Sequence, residues 1–342
     1  MPFETDRALV HSVVQRDPSF AGLDLSGHLA TMDQATSRDA FLLAAMRVMA
    51  CAGNGHSRVI PNAAIQVWSK RIVAHHQGFA LVHEGEVHPI TDVNGTPVDA
   101  LLDRFRPWLA GTAARQSVIG AILMAWPSVI GAHTVSYGVD GGTRRVRVDT
   151  LAPALPLYPM SDPGLSLGAD DTGATWDDPV WSLRLARFDV PMVSGLAETI
   201  LTRPSANIVV DLRGNTGGDF RRILPVIDAL RAGWSGSRIA VRVDRFTFSA
   251  AIVAAVLLQH HLGARLFGEA MGDGLQFWAE GGTEALPDSG AHLRWSSAWH
   301  DWETGQPDDT TPPEIAQHMV ATGPLQITEC ADGAVARDWV VQ

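Results

Sequence analysis

The chain has 342 residues, 46% of them hydrophobic, and a formal net charge of −11. That is enough for a sizeable core and more than one structural unit. The acidic balance, without any Lys/Arg block, speaks against nucleic acid or an anionic membrane surface as a partner.

The start, "MPFETDRALVHSVVQRD", lacks the basic stretch and apolar run of a secretory signal. No apolar run reaches the ~20 residues that a membrane span requires. A cytoplasmic location is therefore expected, with no membrane partner. Cys51 and Cys330 lie far apart and match no metal-ligand spacing, so they are expected as buried, reduced thiols.

Residues 1–68 read as a helical N-terminal subdomain. In "SRDAFLLAAMRVMACAG", Ser37 is the expected N-cap, and Phe41, Leu42, Ala45, Val48 and Met49 form one apolar face. Gly53 and Gly55 break this helix, and "GNGHSRVIPN" reads as a loop.

Residues 69–150 read as a small α+β segment. "FALVHEGEVHPITDVNGTPVDALLDRFRPWL" predicts two strands, a tight Asn94-Gly95 turn and a helix. Pro97 is placed at the first helical position, followed by an apolar stripe of Val98, Leu101, Leu102, Phe105 and Leu109. "HTVSYGVDGGTRRVRVDT" predicts a hairpin around Asp140-Gly141-Gly142. The stretch 152–179 has little periodicity and reads as a long connection.

Residues 151–342 alternate strand and helix. "VWSLRLARF" alternates at period two, and "SANIVVDL" is nearly all apolar, as suits a strand covered on both faces. "DFRRILPVIDALRAG" is an amphipathic helix and "RIAVRV" a strand. "SAAIVAAVLLQHHLG" is a helix ending at Gly263, and "ARLFGE" is a further strand. The alternation implies an α/β layer structure.

Two loops at the ends of these strands hold residue types suited to acyl chemistry. In "VVDLRGNTGGDFRRI", Asp211 ends a strand, and Gly214, Gly217 and Gly218 crowd the turn before a helix. Glycines allow a tight turn whose N–H groups face a ligand, and the helix end favours negative charge. No Gly-Lys-Ser/Thr follows, which excludes a Walker phosphate loop. One strand–turn–helix unit later, "RFTFSAAIV" places Ser249 at a helix start. A serine there is commonly an N-cap. It is alternatively a nucleophile, with the N–H groups of Ala250 and a loop glycine aimed at the developing oxyanion.

Taken together, "IVVDLRGNTGG", "TFSAAIVAA" and "RLFGEAMGDGLQF", spanning about residues 206 to 280, resemble the core of the C-terminal processing (tail-specific) serine peptidase family. That family includes tricorn protease and the repeats of interphotoreceptor retinoid-binding protein. "GNGHSRVIPN" is similar to the Asp-x-His-Thr/Ser loop of the tricorn-like branch, "ITDVNGTPVDALL" to the family's Asn-Gly-x-Pro-Val segment, and "DDTTPPEIA" to its Pro-Asp-Ile ending. The resemblance implies a crotonase/ClpP-like α/β core with a helical N-terminal subdomain, and no cofactor or metal.

The family activates its serine either with a lysine or with a histidine. The chain's single lysine, Lys70, lies outside the motif, and Asp273 stands near the expected lysine. His56 stands where the tricorn-like histidine falls, so a Ser-His type is expected. The chain departs from that branch at Gly55, where a serine precedes the histidine, and near Met271, where the Thr of Gly-Glu-x-Thr is absent. The pairs His75-His76 and His260-His261 are adjacent, which does not suit metal ligation.

The resulting expectation is a serine hydrolase, foremost a peptidase. Ser249 is the nucleophile, His56 the general base, and Gly217, Gly218 and Ala250 form the oxyanion hole. Three acids compete to orient His56: Glu303, in a segment resembling the one that supplies tricorn's glutamate, then Glu269, then Asp273. The expected partner is a peptide or small acyl substrate, with a homo-oligomer left open. Two rivals stand beside it. One is a non-catalytic binder of apolar ligands lined by Trp278, Trp295, Trp299 and Trp302, residues that equally suit core packing. The other is an esterase or acyl-transferring cyclase using the same site.

Overall fold

A computed structural model of the chain describes residues 2–76, 78–158, 172–188, 190–330 and 334–341. The chain divides into two compact units, one of residues 1–165 with 277–299, the other of 166–276 with 300–342. The segment 277–299 thus joins the first unit, whereas the sequence grouped it with 151–342.

The first unit opens with the helices Glu4–Arg16, Ser26–Asp33 and Arg38–Ala50. The last is capped as expected, with the Ala40 N–H donating to Ser37 Oγ at 3.3 Å, and its predicted apolar face is buried. The stretch read as a loop contains the strand Arg58–Ile60, paired antiparallel with Ala291–Trp295, which in turn pairs with Gly282–Leu286. The partner lies far away in sequence, and strand formation depends on such a neighbour more than on local preference.

An antiparallel sheet follows, in the order Arg71–His75, Gly78–His83, Glu86–Val93, Val135–Val139, Arg144–Val148. Asn94 (φ 51°) and Gly95 (φ 81°) form the predicted two-residue turn, with Val93 opposite Thr96. Both positive φ values match a type I′ turn. The helix begins at Val98, with Pro97 as its N-cap rather than its first residue. Pro97 pairs with Asp92 in extended backbone, which holds it out of the helix. Helix Ala113–Ala125 is nearly all apolar and packs on strand Arg71–His75.

In the second unit a six-stranded sheet runs Gly173–Asp177, Val180–Arg184, Asn207–Asp211, Ile239–Val243, Arg265–Gly268, Ile327–Glu329. The first pair is antiparallel and the rest are parallel. Residues 208–210 are buried on both sheet faces, as their unbroken apolar character requires. Val180, Val209, Ala240 and Phe267 pack against Ala336 and Val340 of the helix Ala334–Val341. The predicted amphipathic helix is split into a 3₁₀ turn, Phe220–Ile223, and the α-helix Leu224–Gly233. Pro225 is the cause, since it has no N–H and fits only a first turn. The α/β layering is as expected. The long connection is not uniformly irregular: Leu151–Pro153 and Gly173–Asp177 are strands and Ala154–Leu157 is a helical turn, while 159–171 lie outside the described residues.

Both cysteines are half-buried thiols, not buried as expected. Among the described residues, no helix is long and apolar enough to cross a membrane.

Candidate active site

His56 lies in the first unit and Ser249 in the second. In the first unit, helix Arg38–Ala50 ends, Gly53 turns with φ 65°, and Asn54-Gly55-His56-Ser57 leads into strand Arg58–Ile60. His56 is 1% exposed, its N–H donates to Asn54 Oδ1 at 3.1 Å, and its ring stacks on Phe277 at 5.3 Å and 15°.

The loop is held by polar residues that the sequence reading did not single out. Asn54 Nδ2 donates to Ser57 Oγ and to Ser296 Oγ, both at 2.9 Å. Ser57 Oγ and the Ser296 N–H both donate to Asp17 Oδ2, at 2.5 and 2.9 Å. Asp17, 2% exposed, thereby joins the start of the chain, the histidine loop and the strand end near 296. A buried carboxylate needs such donors, and here they fix the loop that carries His56. Nothing local marks this network, because its members are scattered along the chain. An apolar cavity of about 40 Å³ lies against the same loop, lined by Gly55 and Ser57 together with Met46, Met49, Trp108 and Ile122. The four tryptophans proposed from sequence are not in its wall. Trp278 and Trp299 pack against each other with their rings tilted by 58°, Arg16 covers Trp295, and Trp302 is fully buried.

In the second unit the glycine loop and the serine turn meet. Ser249 lies between strand Ile239–Val243 and helix Ala250–Leu262 with φ 57° and ψ −127°, a conformation that costs a non-glycine residue energy. Its side chain makes no capping hydrogen bond, so the ordinary N-cap role does not account for it. It is half-buried.

Gly217 (φ 112°) lies so close that a Cβ there would stand 2.8 Å from Ser249 Cβ and 3.2 Å from the Ala250 nitrogen. Gly217 cannot serve as an oxyanion donor as expected, because its N–H is used by Asn215 Oδ1 at 2.9 Å. Its role is to allow the close approach. The N–H groups of Gly218 and Ala250 make no hydrogen bond among the described residues. The first N–H groups of a helix have no intrahelical acceptor and carry positive partial charge.

Several bonds lock the two loops. Asn215, fully buried, donates from Nδ2 to the Leu185 carbonyl at 2.8 Å, and its own carbonyl accepts from the Phe248 N–H at 3.0 Å. The Asp244 carboxylate accepts from the Gly214, Phe246 and Thr247 N–H groups. Burial pushes the Asp244 carboxyl above its ordinary pKa, and those hydrogen bonds only partly oppose the rise. At the strand end, burial alone also raises Asp211. Bonds to Arg213 and the charges of Arg213, Arg242 and Arg184 more than offset it, so Asp211 titrates below its ordinary value.

The remaining acids differ in their surroundings. Glu269 Oε2 is paired with Arg245 Nε at 2.8 Å, which engages it in a structural ion pair. Asp273 Oδ1 accepts from the Gly274 N–H. Glu303 is half-buried, its N–H bonded to Asp301 Oδ1 and its carbonyl to the Gly323 N–H. Lys70 lies in the first unit, in the turn before strand Arg71–His75. No local sequence pattern marks Asp17, Asn215 and Asp244, because their partners are distant in the chain.

No protein-family model and no curated protein matches the sequence. Solved structures do. Mature CPAF matches with a TM-score of 0.56 at 14% identity, over 86% of this chain and 88% of that one. A serine-to-alanine mutant of CPAF gives the same TM-score, identity and coverage. CPAF complexed with lactacystin matches at 0.54 and 14%, over 86% and 89%. The photosystem II D1 C-terminal processing protease is a looser likeness, at 0.41 and 15% over 96% and 92%. Over most of its length, the chain has the fold of CPAF.

Proposed function

We propose that the chain is a serine peptidase of the Ser-His type. Ser249 Oγ attacks the substrate carbonyl and gives its proton to His56. The N–H groups of Gly218 and Ala250 hold the resulting oxyanion. His56 returns the proton to the leaving amine, and water, deprotonated in turn by His56, releases the acyl group from Ser249. Glu303 orients the imidazole. The core is read as crotonase/ClpP-like on the strength of the motif order.

The observation that carries this reading is the backbone of Ser249. A residue held at φ 57°, ψ −127° without a capping bond, against a glycine that admits no side chain, is strained for a purpose other than capping the start of a helix. A serine-to-alanine mutant of CPAF, among the structures that share this fold, fits the same reading. An esterase or acyl-transferring cyclase would use the same acyl-enzyme and differ only in the acceptor.

A fluorophosphonate probe tests the proposal. The wild-type chain is labelled, Ser249→Ala is not, and Lys70→Ala is labelled as the wild type. Equal labelling of wild type and Ser249→Ala refutes Ser249 as the nucleophile.

A further inference from the structure

We propose that Asp244 is a positioning residue that sets the register between the glycine loop and the serine turn. The inference rests on the reading of Ser249 as nucleophile. Asp244 directly follows strand Ile239–Val243. Its Oδ1 accepts from the Phe246 N–H at 3.0 Å and the Thr247 N–H at 2.9 Å. Those two bonds form a local turn of the kind that any Asp after a strand can make.

The Gly214 N–H is different. It lies on the other loop, 30 residues away, and donates to Oδ1 at 3.0 Å and to Oδ2 at 3.1 Å. Thr247 adds a second strap between the same loops. Its Oγ1 accepts from the Asp244 N–H at 3.0 Å and lies 3.1 Å from the Leu212 carbonyl, to which it donates. One carboxylate therefore fastens the start of the glycine loop to the turn that ends in Ser249.

The geometry makes that fastening matter. Gly214 leads into Gly217, which packs directly against Ser249 and the Ala250 nitrogen, and into Gly218. A shift of the loop at Gly214 moves the Gly218 N–H relative to Ser249 Oγ. Asp244 itself is filled with donors and is no candidate for proton transfer. Its effect passes through the oxyanion donors, and a displacement of ~1 Å there is expected to cost ~10²-fold in rate.

Asp244→Asn is the test, because the amide keeps the size while replacing one acceptor oxygen with an N–H donor. The expected result is a folded protein with fluorophosphonate labelling and kcat both reduced about 10- to 100-fold, and KM within about threefold of wild type. A folded variant with labelling and kcat within about threefold of wild type overturns the proposal. So does a loss confined to KM. If Asp244→Asn fails to fold, Asp244→Ser keeps a short hydroxyl acceptor for the local turn while removing the carboxylate that the Gly214 N–H reaches; a fall of about tenfold in kcat at unchanged KM supports the proposal, and unchanged kcat overturns it. A wild-type chain that the probe does not label removes the nucleophile reading itself, and this assignment with it. Labelling of the wild type with no effect of either substitution refutes only the role of Asp244.

Discussion

Replacing Gly217 by alanine perturbs the contact on which the candidate site depends. Two costs add. The first is conformational: φ is 112°, outside the region that a side chain tolerates, at about 1–3 kcal/mol. The second is steric. The new methyl would lie 2.8 Å from Ser249 Cβ, 3.0 Å from the Phe248 carbonyl oxygen and 3.2 Å from the Ala250 nitrogen. All three sit at or on the backbone, so none can swing aside, and overpacking of this kind costs about 1–3 kcal/mol. Gly218→Ala is the internal control. Its φ of 125° carries the same conformational cost, but its nearest neighbour, Phe188 Cβ, would be 3.8 Å away. The expected losses are about 2–6 kcal/mol for Gly217→Ala and about 1–3 kcal/mol for Gly218→Ala. The assay is denaturant or thermal unfolding of both variants, at about 2–4 °C of Tm per kcal/mol for a unit of this size, with fluorophosphonate labelling at a temperature where both are folded. Equal stability of the two variants, with equal labelling, refutes the inference that Gly217 is selected by contact with the serine turn.

Ser249→Gly should raise stability by about 1–3 kcal/mol while abolishing labelling, since glycine adopts the backbone without strain; an unchanged or lowered unfolding midpoint contradicts stored strain at Ser249. His56→Ala should reduce turnover by ~10²–10⁴ with the serine still present, the usual scale for a general base; an active variant removes His56 from the mechanism. Glu303→Gln should lower turnover strongly with little change in Tm, and undiminished turnover rejects Glu303 as the orienting acid. Asp211→Asn should cost about 2–3 kcal/mol at pH 7, below the figure for a fully buried pair because the three guanidinium groups are partly exposed. The folded pKa of Asp211 is depressed, so its stabilisation is full above its unfolded pKa of about 3.9 and is lost as pH falls through the lower folded value. The gap between the variant and wild type should therefore narrow below about pH 4, and a gap that is independent of pH contradicts the ion-pair account.

The sequence by itself determined the elements whose cause is local. Ser37 capped its helix, Asn94-Gly95 made the hairpin turn, Gly263 ended the helix after Ser249, and unbroken apolar runs marked strands covered on both faces. It also determined the candidate loops, because glycines before a helix and a serine before an apolar helix are features of neighbouring residues. Tertiary structure decided the rest. Strand Arg58–Ile60 exists because Ala291–Trp295 pairs with it, and the histidine loop is held because Asp17 and Ser296 reach it from distant parts of the chain. Gly217 was read as a donor, but Asn215 takes its N–H, and which side of that peptide faces Ser249 is a matter of backbone dihedrals that residue identity does not record. Nothing next to Asp244 in the sequence marks the bond it accepts from the Gly214 N–H, 30 residues away. Local propensity is written in adjacent residues, whereas the partners of a buried polar group are chosen by the path of the whole chain, because only the folded state removes the water that would otherwise satisfy them.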